Sequence, residues 1–265
     1  EPWLPPKRYI DRYDPDYEGE VVADPYGVSD YLTPSEREHS QALYAATVTF
    51  VDEWFGRFME TMEDLNLLDE TTIVVTSDHG FGLGDHGRFG KNAVGGKSAW
   101  SPWPLYEECA HVPLIVHMPG QTGEKRTRIL AQHVDILPTV LQLAGVKIPE
   151  RANERVNGSS WVPILGGQTG PVRKAAYTSS ALRIWHMAHG GTRVTVTSPD
   201  WSLILPSPDQ PAELYHLPSD PRQERNVYSS NLDVAQRLHG AFLGFLERVG
   251  TNPDKVESWR RRCQS

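Results

Sequence analysis

Two short runs constrain the fold more than anything else in this chain: "TTIVVTSDHG" at 71–80 and "VPLIVHMPG" at 112–120. Each is apolar at successive positions instead of alternating. A strand with one solvated face would show period-two alternation, so this pattern predicts central strands with helices on both faces. The first run ends in charge and glycine, the second in Pro-Gly.

The sequence around these runs supplies the helices. Thr33-Pro34-Ser35-Glu36 places a capping residue, a proline at the first helical position and a glutamate three residues after the cap, the pattern of a helix start. Leu43, Thr47, Phe50, Val51, Trp54, Phe58, Met62 and Leu65 follow at helical spacing and predict one long amphipathic helix from about 35 to about 65. Its Met and aromatic stripe is expected to be core. "HVDILPTVLQLAGVKIP" predicts a short helix closed by Gly145 and Pro149. Helix, strand, long loop, strand and helix in that order specify an α/β open sheet. The first thirty residues, rich in proline and tyrosine without helical period, predict an extended loop over a surface.

From about residue 174 the pattern changes. "AAYTSS", "RVTVTS", "WSLILP" and "AELYHL" are short strands joined by Gly, Pro and Asp turns and predict a small antiparallel sheet. A final helix is expected at about 231–249, with Leu232, Val234, Leu238, Phe242 and Phe245 on one face. The expected division is 1–170 for the α/β portion and 171–265 for the small sheet with its terminal helix.

Charge and cysteine narrow the class of partner. A formal net charge of −8 gives no overall attraction to nucleic acid or to an anionic membrane, so any anionic ligand needs a local cluster of donors. Cys109 and Cys263 are too few for a disulfide framework. No apolar run approaches the ~20 residues of a membrane span. The chain carries no initiator Met or signal peptide, which fits a fragment or a processed piece and leaves the compartment open.

The chemistry concentrates where the first strand ends. In an open parallel sheet the carboxyl ends of strands face the ligand crevice, and Asp78 and His79 lie just beyond such an end. A carboxylate and an imidazole can offer oxygen and nitrogen to one divalent cation. Two ligands alone do not make a site, and an isolated Asp-His pair is more often a turn cap beside a backbone-bonded histidine.

Resemblance shifts that balance. "LYAATVTFVDEWFGRFMETMEDLNLLDETTIVVTSDHGFGLGDHGRFGK", then "LYEECAHVPLIVHMPG" and "QHVDILPTVLQLAGV", resemble the carboxyl-terminal half of the sulfatase family within the alkaline phosphatase superfamily. The opening "EPWLPPKRYIDRYDPDYEG" resembles the family segment that follows a catalytic histidine, and the last third resembles its small carboxyl-terminal sheet subdomain. The resemblance implies an alkaline-phosphatase-like open sheet, present in part, and a sulfate ester as substrate. It implies Asp78 and His79 as ligands of a divalent cation, calcium first, with manganese or another divalent ion as alternatives. It implies Lys91 as the contact to sulfate oxygens. Cation and ammonium would share the charge of the ester and stabilise charge redistributed during displacement at sulfur. Glycines 80, 82, 84, 87 and 90 would let backbone approach the anion or turn beside it. His86 fits the family pattern too, and orienting a loop through a hydrogen bond is the commoner use of such a histidine. His111 and His117 are expected as satisfied core histidines, and Asn157-Gly158-Ser159 as a structural turn.

Two departures qualify the resemblance. Between Lys91 and Leu105 lies "NAVGGKSAWSPWP", longer than the family spacing. Lys97 there competes with Lys91 for the anion, and Trp100 and Trp103 are either loop packing or a flat platform for a sugar or aryl group. The family's formylglycine nucleophile, made from Cys in a Cys-x-Pro-x-Arg context, has no counterpart: neither "ECAHVP" nor "RRCQS" has that form. Formylglycine is expected upstream. This chain alone is therefore expected to be inactive and to need its amino-terminal part, as a companion fragment or as a longer parent. A phosphonate monoester or phosphodiester hydrolase of the same superfamily remains an alternative, as does a truncated or degenerate non-catalytic domain.

Overall fold

A computed structural model of the chain describes residues 2–22, 27–90, 105–149, 156–179, 193–207 and 210–262. The chain forms two compact units, one of residues 1–103 and 108–124, the other of 104–107 and 125–265, a contact division that falls well before the composition change near 171.

In the first unit, α1 (Lys7–Ile10) is a single turn within the opening segment, which the proline pattern had suggested was wholly extended. Proline at position 6 sets up that turn, and Tyr9, fully buried, anchors it. α2 (Pro34–Asp64) starts where its cap dictates: the Thr33 side chain accepts from Glu36 N, and the Glu36 carboxylate accepts from Thr33 N. Tyr9 donates to Glu53 of α2 at 2.7 Å, and its ring packs against Phe50. Trp3, Leu43 and Phe81 form the unit's small buried cluster.

The expected core role of the α2 stripe does not hold. The helix buries His39, Ser40, Leu43 and Ala46, and no residue beyond 46. Val51 is 59%, Trp54 51%, Phe58 46% and Leu65 61% exposed, because no described element covers that side.

The two apolar strands are β2 (Ile73–Thr76) and β5 (Leu114–His117). They pair with each other, antiparallel, with Ile73 opposite His117 and Thr76 opposite Leu114. The parallel arrangement and the helices on both faces are therefore corrected: among the described residues this is a two-stranded antiparallel ribbon whose residues are half-buried or exposed. A continuous apolar run reports what a strand requires, and here the required cover is lacking. A second small sheet, in the order β1 (Gly27–Val28), β4 (Arg88–Gly90), β3 (Gly82–Leu83), is antiparallel throughout.

The second unit carries the larger core. β6 (Ala176–Ser179), β7 (Val194–Thr197), β8 (Trp201–Ile204) and β9 (Glu213–His216) form a four-stranded antiparallel sheet in sequence order. α6 (Leu232–Arg248) presents Val234, Ala235, Leu238 and Phe242 to Val194, Val196, Leu203 and Leu214 in one buried cluster. α7 (Pro253–Arg262) was not anticipated. Its signals were a proline in the first turn with Val256 and Trp259 one turn apart, too short a pattern to stand out. His239 of α6 donates to the Trp259 carbonyl at 3.0 Å and ties the two helices together.

α4 (Ile136–Leu143) and α5 (Val162–Leu165) complete this unit. The fully buried Asp135 carboxylate accepts from Gln132 N and Ser159 N at 2.8 Å, from Trp161 Nε1 at 3.2 Å, and from Arg173. Asn157-Gly158-Ser159 is thus a turn docked on this carboxylate. A Cβ at Gly158 would lie 1.9 Å from the Val134 carbonyl oxygen.

Candidate functional site

β2 delivers Ser77, Asp78 and His79 to its carboxyl end. Ser77 Oγ donates to the His79 carbonyl at 2.7 Å, and His79 N donates to Asp78 Oδ1 at 3.0 Å, so the backbone turns tightly about the pair. His79 Nδ1 lies 2.8 Å from the Gly80 carbonyl oxygen. A carbonyl can only accept, so Nδ1 carries the proton and the neutral ring keeps its lone pair on Nε2. That atom is 3.3 Å from Asp78 Oδ2, and the Asp78 side chain is 83% exposed. An imidazole whose far nitrogen is held by a carbonyl, beside an open carboxylate, has the donor chemistry of two adjoining ligands of a divalent cation.

The fit is that of half a site. Among the described residues no group of three or more His, Cys, Asp or Glu gathers for a metal ion.

The chain after the pair is clamped. Gly80 N donates to the Cys109 carbonyl and Phe81 N to the Glu108 carbonyl, both at 2.9 Å, pinning the strand end to α3 (Glu107–Ala110). A Cβ at Gly80 would sit 1.9 Å from the Glu108 oxygen, so only glycine fits. β3 and β4 then form a hairpin around Asp85–Gly87, where His86 adopts a left-handed conformation with φ 52°. The His86 side chain is mostly buried, and Nδ1 meets Glu108 Oε1 at 2.9 Å. His86 is joined to the same residue whose carbonyl holds Phe81, an orienting role. Sequence reasoning missed Glu108 because nothing in its local spacing marks it.

Burial, then the neighbouring Glu108 carboxylate, push the Cys109 thiol up to about 12. It is no nucleophile near neutral pH. His117 lies in β5 with Nε2 3.4 Å from the Leu68 carbonyl, whereas His111, expected in the core, is exposed. Lys91, Lys97, Trp100 and Trp103 lie outside the described residues.

The strand-end Asp-His pair and the small sheet define the class. A sulfatase family model matches residues 5–146, more than half of the chain, and the chain belongs to the sulfatase family, with its alkaline-phosphatase-like fold. A second model, "N-sulphoglucosamine sulphohydrolase, C-terminal", matches residues 97–243.

Among particular relatives, N-acetylglucosamine-6-O-sulfatase of Bacteroides thetaiotaomicron is 35% identical over 191 residues, covering 70% of this chain and 31% of the relative. Arylsulfatase K of Danio rerio is 28% identical over 244 residues, 89% of this chain and 42% of the relative. The solved structure of BT4656 in complex with its substrate D-glucosamine-2-N,6-O-disulfate is similar with a TM-score of 0.65 at 28% identity, over 84% of this chain and 44% of that one. A phosphonate monoester hydrolase from Silicibacter pomeroyi shares the fold, with a TM-score of 0.67 at 24% identity, over 92% of this chain and 49% of that one. The chain thus spans less than half the length of these relatives.

Proposed function

We propose that this chain supplies the carboxyl-side part of a sulfatase active site, with hydrolysis of a sulfate ester as the activity of the complete protein. The observation that carries the reading is the His79 ring, held at Nδ1 by the Gly80 carbonyl so that its Nε2 lone pair lies beside the Asp78 carboxylate. Asp78 and His79 would hold a divalent cation, calcium first, with manganese or another divalent ion as alternatives. Bound there, the cation would share the negative charge of the ester group.

The chain's own groups do three things in this reading. The Ser77 and Gly80 hydrogen bonds hold the two ligands in one orientation. The His86–Glu108 contact and the bonds from Gly80 N and Phe81 N fix the hairpin after them. Lys91, the residue after β4, is the proposed sulfate contact and Lys97 its competitor, with Trp100 and Trp103 as a platform for the alcohol. The formylglycine nucleophile belongs to the part of the family's domain that this chain does not span.

The test has two parts. Calcium and manganese titrations of the 265-residue chain should show weak binding that Asp78→Ala and His79→Ala each abolish; metal content indifferent to both substitutions would favour a degenerate, non-catalytic domain. An aryl sulfate and an aryl phosphonate monoester are then offered to the chain alone and with the remaining part of a sulfatase domain. The chain alone should turn over neither, and the completed domain should prefer the sulfate. Preference for the phosphonate would move the chain to the phosphohydrolase reading, and turnover by the chain alone, lost in Asp78→Ala, would show that it needs no second part.

A further inference from the structure

We propose that the exposed seam on the second half of α2 is an internal interface of the complete sulfatase domain, and that its occupant is the part of that domain this chain does not span. The inference rests on the family reading above and names the surface at which completion occurs.

Val48, Val51, Phe55, Phe58, Met62 and Leu65 follow one another at alternating spacings of three and four. On a helix that spacing lines them up on one side, over about 25 Å at 1.5 Å per residue. Val48 is 50% and Phe55 36% exposed, and Met62 is half-buried, so the exposed apolar surface runs the length of the seam. The face carrying Thr49, Phe50 and Glu53, which bond or pack against Tyr13 and Tyr9, points the other way round the helix. The seam is therefore the side that α1 leaves uncovered. A contiguous apolar patch of this extent on a soluble protein marks an interaction surface.

The seam's flanks decide what covers it. A two-stranded coiled coil with a second copy would place complementary charges beside the apolar positions. The flanking positions here are Thr47, Trp54 and Thr61 on one side and Asp52, Met59 and Asn66 on the other, which offer no opposite-charge pairs. Trp54 and Met59 instead broaden the apolar arc to well over 100°, the width of a helix that packs into a globular interior. The β2–β5 ribbon carries the same message. Two strands with apolar faces and, among the described residues, no third strand are marginal by themselves and call for further sheet. The relatives possess what could supply it, since this chain spans 31% and 42% of two of them.

The experiment co-expresses the 265-residue chain with a separate polypeptide carrying the portion of the Bacteroides thetaiotaomicron N-acetylglucosamine-6-O-sulfatase that lies outside its match to this chain. The two should co-purify, and amide exchange across 48–65 should slow at least tenfold relative to the chain alone. The double variant Val51→Asp, Phe58→Asp should lose co-purification while the chain alone keeps its melting temperature within a few degrees, because both side chains are solvated there. Failure to co-purify, or a complex in which 48–65 exchanges as in the free chain, would overturn the proposal. So would a chain that is dimeric by itself, protected over 48–65 and made monomeric by the double variant, which would assign the seam to a second copy. A complex that protects the seam yet hydrolyses no sulfate ester would sink the sulfatase reading and leave this interface standing.

Discussion

At the scale of single residues, glycine 80 is the most constrained position near the candidate site. Gly80→Ala would force a methyl into the Glu108 carbonyl and break the bonds from Gly80 N and Phe81 N. We expect a loss of about 1–3 kcal/mol, read as a lowered urea midpoint with unchanged slope. Asp135→Ala should cost more, about 3–5 kcal/mol, because it strands the Arg173 guanidinium and three other donors against a buried void; thermal unfolding measures it. Glu213 gives a pH signature. Burial opposes its ionisation, but the Tyr215 hydroxyl, the Arg193 guanidinium and the Tyr106 hydroxyl outweigh burial and hold the carboxyl below its ordinary value. A depressed folded value means stability that is present above the unfolded pKa of about 4.3 and is lost as pH falls through the folded one. Glu213→Gln should therefore flatten the acid side of a stability–pH curve while altering its neutral plateau by a constant amount.

At the scale of elements, legibility followed the range of the signal. The start of α2 was written in four adjacent residues, Thr33 to Glu36, and the model places the helix there. Thr33→Ala should cost about 1 kcal/mol of unfolding free energy by removing the cap, with chemical denaturation as the readout. The four strands of the small sheet and α6 were equally plain, since their apolar partners are all in this chain. Asp78 and His79 could be read because they adjoin a strand end. Glu108 could not, because its link to His86 joins residues 22 apart in sequence with no shared pattern. Strand direction was also invisible, since an apolar run fixes that a strand is covered and says nothing of which neighbour it pairs with. The α2 stripe shows the same limit from the other side: its pattern demanded burial, and no described element supplies it.

At the scale of the whole molecule, the two units are unequal. The carboxy-terminal unit closes a core of ten buried apolar residues, whereas the small cluster of the first unit has three. Amide exchange on the isolated chain should rank them accordingly, with β7, β8 and α6 protected to the global limit and the second half of α2 opening first. Cys109 offers an independent clock for the first unit. A thiol at about 12 is ionised to roughly one part in 100,000 at neutral pH, against a few per cent for a cysteine at its ordinary value near 8.5. Iodoacetamide should therefore alkylate position 109 on the order of a thousandfold more slowly in the folded chain than in urea, with peptide mass spectrometry separating it from Cys263. Because the Cys109 carbonyl is also the acceptor for Gly80 N, each alkylation event would time-stamp an opening of the clamp behind Asp78 and His79, turning an unreactive sulfur into a recorder of how often the candidate site lets go.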